Sequence, residues 1–191
     1  MENTTVNTST LPKTPDDFPN KDLVDKFVNK ILNYSQEDTE KISAAAVYAA
    51  KEHGDQRRKS GEPYLIHPIA VAEILMSYNM DADTVCAGLL HDTIEDTETT
   101  EEDIAKLFGK EVGEMVQAVT KISRITQDKS IQEAETIKKM FFAMSKDLRV
   151  ILIKLADKLH NMRTLSGLTS ERRIAFAKDC LDIFAPIADS L

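Results

Sequence analysis

The sequence predicts an all-α protein with one folded domain, and three observations carry that expectation. Apolar residues recur at helical spacing almost throughout after residue 20. Gly and Pro are scarce at six each, and three of the prolines (Pro12, Pro15, Pro19) lie in the first twenty residues. No segment alternates apolar and polar residues as a half-buried strand does; Val150-Ile151-Leu152-Ile153 comes nearest, but it runs without a turn signal into Lys154-Leu155-Ala156-Asp157 and reads better as a buried helix.

Along the chain, residues 1–20 are rich in Thr, Asn and Ser with few apolar anchors, which predicts a disordered leader and a domain over 21–191. Leu23, Phe27 and Ile31 form a first i, i+4 stripe, and Ile42, Ala45, Ala46 and Ala49 a second. Ser35 with Asp38, and Thr100 with Asp103, have the spacing of a capping box. His67-Pro68 reads as an N-cap followed by Pro at the first helical position, opening a helix through Ile69, Val71, Ala72, Ile74 and Leu75. Further helices are expected at 82–94, 101–108, 110–122, 132–145, 148–165 and 170–184, with a polar loop over 121–131.

Composition narrows the function. The 191 residues carry 24 Lys+Arg against 32 Asp+Glu, a net charge of −8. That balance argues against neutralising a nucleic-acid backbone, and no direct nucleic-acid binding is expected; a small phosphorylated ligand on a local basic patch stays open. No stretch approaches the roughly 20 apolar residues of a membrane span, and the first twenty residues lack the apolar core of a signal peptide. Cys86 and Cys180 sit in apolar helical patterns without a CxxC partner, which fits a reducing, cytoplasmic setting better than a disulfide scaffold.

The residues that carry chemistry fall in three places. His91-Asp92-Thr93-Ile94-Glu95-Asp96 follows an apolar helical run. His91 and Glu95 are i, i+4, as are Asp92 and Asp96, so all four can line one side of a helix end. Imidazole beside carboxylate suits a divalent cation, and the further carboxylates suit orienting or deprotonating an attacking water. Acidic groups at a helix C-terminus oppose the helix dipole, so the cluster calls for a cation; the plain alternative is an acidic helix end with a capping histidine. His67 and Asp157 are the second place. Asp157 lies in an apolar helix with Asn161 and Thr164 on the same stripe, where a carboxylate must be paired or bound. Here the plain alternatives are an N-cap for His67 and an ion pair from Asp157 to Lys154 or Lys158. The third is Arg57-Arg58-Lys59-Ser60-Gly61, a basic turn just ahead of His67 that suits a phosphate and, through Arg, a stacked base.

In order, the stretches RKSGEPYLIHP (58–68), AGLLHDTIEDT (87–97), VTKIS (119–123), RVILIKLADKLHNMRTL (149–165) and IFAP (183–186) strongly resemble the HD-superfamily hydrolase domain of the RelA/SpoT-type alarmone enzymes. The resemblance covers about residues 40–190. It implies an all-α HD bundle with one Mn²⁺ that removes the 3′-pyrophosphate of ppGpp or pppGpp, giving GDP or GTP and pyrophosphate. It places the metal ligands on His67, His91, Asp92 and Asp157, and the water-activating pair on Glu95 and Asp96. It puts the guanine-stacking arginine on Arg58, with Lys59 and Ser60 in the same loop and Tyr64, Asn161 and Thr164 lining the nucleoside pocket. His53 and His160 are expected to pack or support rather than to bind metal. The wording of VTKIS, KMFFAM and LHNMRTL resembles the long members, which implies synthetase and regulatory domains in cis; Lys138-Lys139-Met140 departs from the Arg-Lys-Met that relatives often carry. Rival readings are an HD phosphohydrolase of another nucleotide, which has no reason to carry the RKSGEPY loop, and a non-catalytic alarmone sensor, which needs neither Glu95 nor Asp96. A bare helical scaffold is a third.

Overall fold

A computed structural model describes residues 17–127 and 146–191. Its helices are α1 (Lys21–Val28), α2 (Gln36–His53), α3 (Ile66–Ser77), α4 (Ala82–Leu90), the short α5 (Thr93–Asp96), α6 (Glu101–Phe108), α7 (Lys110–Gln127), α8 (Leu148–Arg163), α9 (Ser170–Asp179) and α10 (Ala185–Asp189). A 3₁₀ turn (Leu165–Gly167) follows α8, and a π-helical segment (Cys180–Phe184) joins α9 to α10. The all-α expectation holds: among the described residues, the one extended pairing is an isolated bridge between Arg57 and Pro63. The expected helix at 132–145 and the Lys138-Lys139-Met140 departure lie outside the described residues.

The middle of the bundle is α4, whose residues from Thr84 to Leu90 are all buried. A helix apolar on every side must be enclosed, and α4 is, by α2, α3, α7 and α8. Small residues let the axes approach: Ala45, Ala46 and Ala49 of α2 and Gly88 of α4 are fully or almost fully buried. A Cβ on Gly88 would stand 2.5 Å from Leu75 Cδ1 in α3. Gly88→Ala therefore overpacks the α3–α4 seam at about 1–3 kcal/mol, offset by about 1 kcal/mol of helix propensity. The expected net is a stability loss of about 1 kcal/mol in urea unfolding; a gain would mean that Leu75 has room to turn away.

Several boundaries differ from the expectation for local reasons. The helix expected over 82–94 is two helices, because side chains cap its carbonyls early. His91 Nδ1 donates to Gly88 O at 2.8 Å, and Thr93 Oγ1 donates to Leu90 O at 2.7 Å. His67 is not an N-cap but lies inside the first turn of α3, which starts at Ile66. The loop expected from residue 121 is helical through Gln127, with Ile122 and Ser123 buried against the core. Thr100 and Asp103 form the complete capping box, whereas Ser35 caps α2 by its side chain alone. Phe18 is buried and Asn20 Nδ2 donates to Gly54 O at 3.1 Å, so the packing begins ahead of α1.

Candidate metal centre

Three elements converge on one buried point. The first turn of α3 brings His67, the break after α4 brings His91 and Asp92, and the middle of α8 brings Asp157. One donor atom from each of His67, His91 and Asp157 lies within 4.8 Å of the other two, close enough to hold a single ion. His67 Nε2 is 3.3 Å from Asp157 Oδ1 and 3.5 Å from Asp92 Oδ2, and His91 Nε2 is 3.1 Å from Asp92 Oδ1.

The donor set fits a cation because of His91. Its Nδ1–H is committed to Gly88 O, which leaves the Nε2 of the neutral ring as a bare lone pair. That Nε2 is buried, has no hydrogen-bond partner of proper geometry, and faces carboxylates. A buried base beside buried anions needs a positive charge between them, supplied by a metal or a proton.

Electrostatics tell the same story. Burial disfavours charge on His91, but the Asp92 and Asp157 carboxylates override it and push its pKa up to about 9. Burial also opposes charge on Asp157, yet Lys154, His67 and His91 hold it well below the usual carboxylate range. His67, by contrast, is pushed down, mainly by burial. The sign for His91 follows: its folded pKa lies above the unfolded value of 6.5, so its contribution is full below pH 6.5 and lost as pH rises through about 9. Protein stripped by a chelator is expected to lose on the order of 3 kcal/mol between pH 6 and 10. Thermal melts across that range check it; a flat profile would place no proton on His91.

Around this point the other candidates divide. Tyr64 Oη lies 2.6 Å from Asp92 Oδ2 and 2.9 Å from Asp96 Oδ2, so one phenolic proton ties the carboxylate in the cluster to the exposed Asp96. Glu95 is half-buried on the same short helix α5. Arg58 Nη2 donates to Asn161 Oδ1 at 3.0 Å, and Asn161 Nδ2 in turn donates to Asp157 Oδ1. Arg58 sits at the start of a tight turn closed by Gly61 N to Arg58 O at 2.8 Å, and Gly61 takes the φ of +90° that such a turn needs. Lys59 and Ser60 are exposed at the tip of that turn, Ser60 donating to Glu62. The Thr164 hydroxyl is turned onto its own helix, donating to His160 O at 3.0 Å. The Ser60 and Thr164 hydroxyls are thus bonded away from the histidine–carboxylate cluster.

Of the two plain alternatives for Asp157, one is present alongside the cluster: Lys154 Nζ donates to Asp157 Oδ2 at 2.7 Å and to Ser123 Oγ at 2.8 Å. Lys158 instead lies over the rings of Phe176 and Phe184. In the sequence Lys154 stands out only as an alternative partner to metal for Asp157, although a lysine three residues before an aspartate in an apolar run is the signal of a buried member of the site. His53 packs its ring on Tyr64 at a 4.7 Å centroid distance, as expected of a supporting residue.

Comparison with known proteins agrees with this picture. The HD domain family model matches residues 45–191. A GTP pyrophosphokinase of Myxococcus xanthus is 49% identical over 158 residues, 81% of this chain and 21% of that protein. A guanosine-3′,5′-bis(diphosphate) 3′-pyrophosphohydrolase of Borreliella burgdorferi is 50% identical over 151 residues, 78% of this chain and 23% of that protein. The chain thus spans about a fifth of the length of these curated relatives. A solved structure of a metazoan SpoT ortholog, described as hydrolysing ppGpp, superimposes with a TM-score of 0.59 at 37% identity, covering 80% of this chain and 87% of that one. With the family model spanning most of its length and a histidine–carboxylate cluster at its centre, the chain belongs to the HD domain family, in its RelA/SpoT-type branch.

Proposed function

We propose that this domain hydrolyses the 3′-pyrophosphate of ppGpp or pppGpp, releasing pyrophosphate and GDP or GTP, with Mn²⁺ held by His67, His91, Asp92 and Asp157. The observation that carries this reading is the buried Nε2 of His91, without a hydrogen-bond partner beside carboxylates and one hydrogen-bond network away from Arg58 in the basic turn. The relatives named for this hydrolysis supply the substrate class.

A divalent cation at that point supplies Lewis acidity, lowering the pKa of water and offsetting charge on phosphorus. The chain's residues do the rest. Glu95 and Asp96 hold the attacking water and take its proton as the bond between phosphorus and the ribose 3′ oxygen breaks, leaving that oxygen to be protonated. Tyr64, bonded to both Asp92 and Asp96, keeps the proton acceptor in register with the metal ligands. Arg58 leaves Asn161 to stack on the guanine; Lys59 and Ser60 hold phosphate oxygens at the turn, and Asn161 and Thr164 border the ribose. The same proposal takes residues 21–191 as the hydrolase domain behind a leader whose last residues, Phe18 and Asn20, pack onto it, in a longer cytoplasmic protein that carries synthetase and regulatory domains in cis.

The decisive test is ppGpp turnover by the purified chain with and without Mn²⁺, following both products by anion exchange. Mn²⁺-dependent release of GDP and pyrophosphate in equal amounts is the expected result. Tight ppGpp binding with no release would make the domain a sensor, and release of a single phosphate would move it to a different phosphohydrolase chemistry.

A further inference from the structure

The mechanism above uses the imidazoles of His67 and His91 and gives a third one, His160, no task. His160 lies in α8, three residues beyond Asp157, and is buried. Its Nδ1 stands 2.8 Å from Nδ1 of His67 and 3.4 Å from Nη1 of Arg58.

The neighbours of these three groups favour one arrangement of protons. A guanidinium has donors only, so the His160 Nδ1 that faces Arg58 at 3.4 Å is best placed as a bare acceptor. A bare Nδ1 at 2.8 Å from another ring nitrogen needs a proton on that nitrogen, so His67 carries its hydrogen on Nδ1. A neutral His67 protonated on Nδ1 has its lone pair on Nε2, and that atom faces Asp157 Oδ1 and Asp92 Oδ2. The tautomer of His67 is thus set by a chain that begins at the basic turn, 102 residues away in sequence from His160.

We propose that His160 is a positioning residue whose Nδ1 lone pair holds the His67 ring and tautomer for metal binding and ties that ring to Arg58. The proposal deepens the metal-site reading and rests on it. A partner on the far nitrogen of a ligating imidazole commonly changes metal affinity 10–100-fold. Because one lone pair serves both neighbours, a nucleotide that draws Arg58 onto its base leaves His160 to His67 alone, which strengthens the His67 contact when substrate is bound.

The test separates the acceptor from the ring. His160→Asn keeps an oxygen acceptor near the Nδ1 position, whereas His160→Phe keeps the shape and removes the acceptor. Mn²⁺ titrations by calorimetry on chelator-treated protein are expected to show H160F weakened by about 10–100-fold and H160N within about threefold of the unmodified chain. Long-range ¹⁵N–¹H spectra of the metal-free chain are expected to show His67 protonated on Nδ1, and a mixture of tautomers in H160F. Asp157→Asn, run alongside, keeps the two readings apart. If D157N loses Mn²⁺ while H160F binds it normally, the role of His160 is overturned and the site stands. If D157N binds normally, the site itself is wrong and the proposal falls with it. Should H160F fail to fold by circular dichroism, the H160N titration and the His67 tautomer in the unmodified chain decide: an Nε2-protonated His67, or an H160N as weak as D157N, overturns the proposal.

Discussion

Substituting Asp157 with Asn is expected to abolish tight Mn²⁺ binding and to lower ppGpp turnover on the order of 10³-fold, because a metal centre supplies several kcal/mol of transition-state stabilisation. The choice of Asn matters. Asp157 is buried and accepts from Lys154 on Oδ2 and from Asn161 on Oδ1, with His67 Nε2 lying 3.3 Å from Oδ1. An amide oxygen can still accept from Lys154, so the variant keeps that hydrogen bond and the side-chain shape while losing the charge and the acceptor that Asn161 uses. Truncation to Ala would strand a buried ammonium and confuse loss of function with loss of fold. Helical circular dichroism should therefore stay close to that of the unmodified chain while Mn²⁺ binding by calorimetry vanishes. Turnover within tenfold of normal at saturating Mn²⁺ would remove Asp157 from the ligand set.

How far the sequence revealed this site can be judged residue by residue. Helical periodicity exposed the bundle because helices packed on one another keep an i, i+4 stripe, and the enclosed α4 announced itself as a run apolar on all sides. Periodicity could not show that α4 stops at Leu90. That break depends on Thr93 and His91 hydroxyl and imidazole groups finding the carbonyls of Leu90 and Gly88, which is a matter of rotamers. The ligand candidates were legible as polar residues in apolar surroundings. What was illegible was their mutual contact: His160 was visible as a family residue, but its 2.8 Å approach to His67 spans 93 residues and requires α3 and α8 to be side by side. The resemblance places Tyr64 at the nucleoside pocket; that its hydroxyl also bridges two carboxylates is a contact no spacing rule predicts.

Lys154→Met is expected to make the fold depend on metal. The ammonium is buried with its carboxylate partner and donates to Asp157 and Ser123. Methionine matches the stem in volume, so the change removes charge more than packing. Breaking one side of a buried ion pair costs about 3–5 kcal/mol, since the remaining ion loses its partner without regaining water. For a domain of this size that corresponds to a drop of roughly 10 °C in the melting temperature of chelator-treated protein. Mn²⁺ held by His67, His91 and Asp157 would bring positive charge to the same carboxylate. It should therefore restore more stability to Lys154→Met than it adds to the unmodified chain, and bind the variant more tightly because the ammonium no longer repels it. Thermal melts with and without Mn²⁺ measure this directly. An equal metal-induced shift in both proteins would mean that Lys154 and the metal do not share Asp157, and the two carboxylate oxygens would then need separate explanations. A larger shift in the variant would show that the bundle balances its buried carboxylates with a lysine and a histidine proton until the cation arrives.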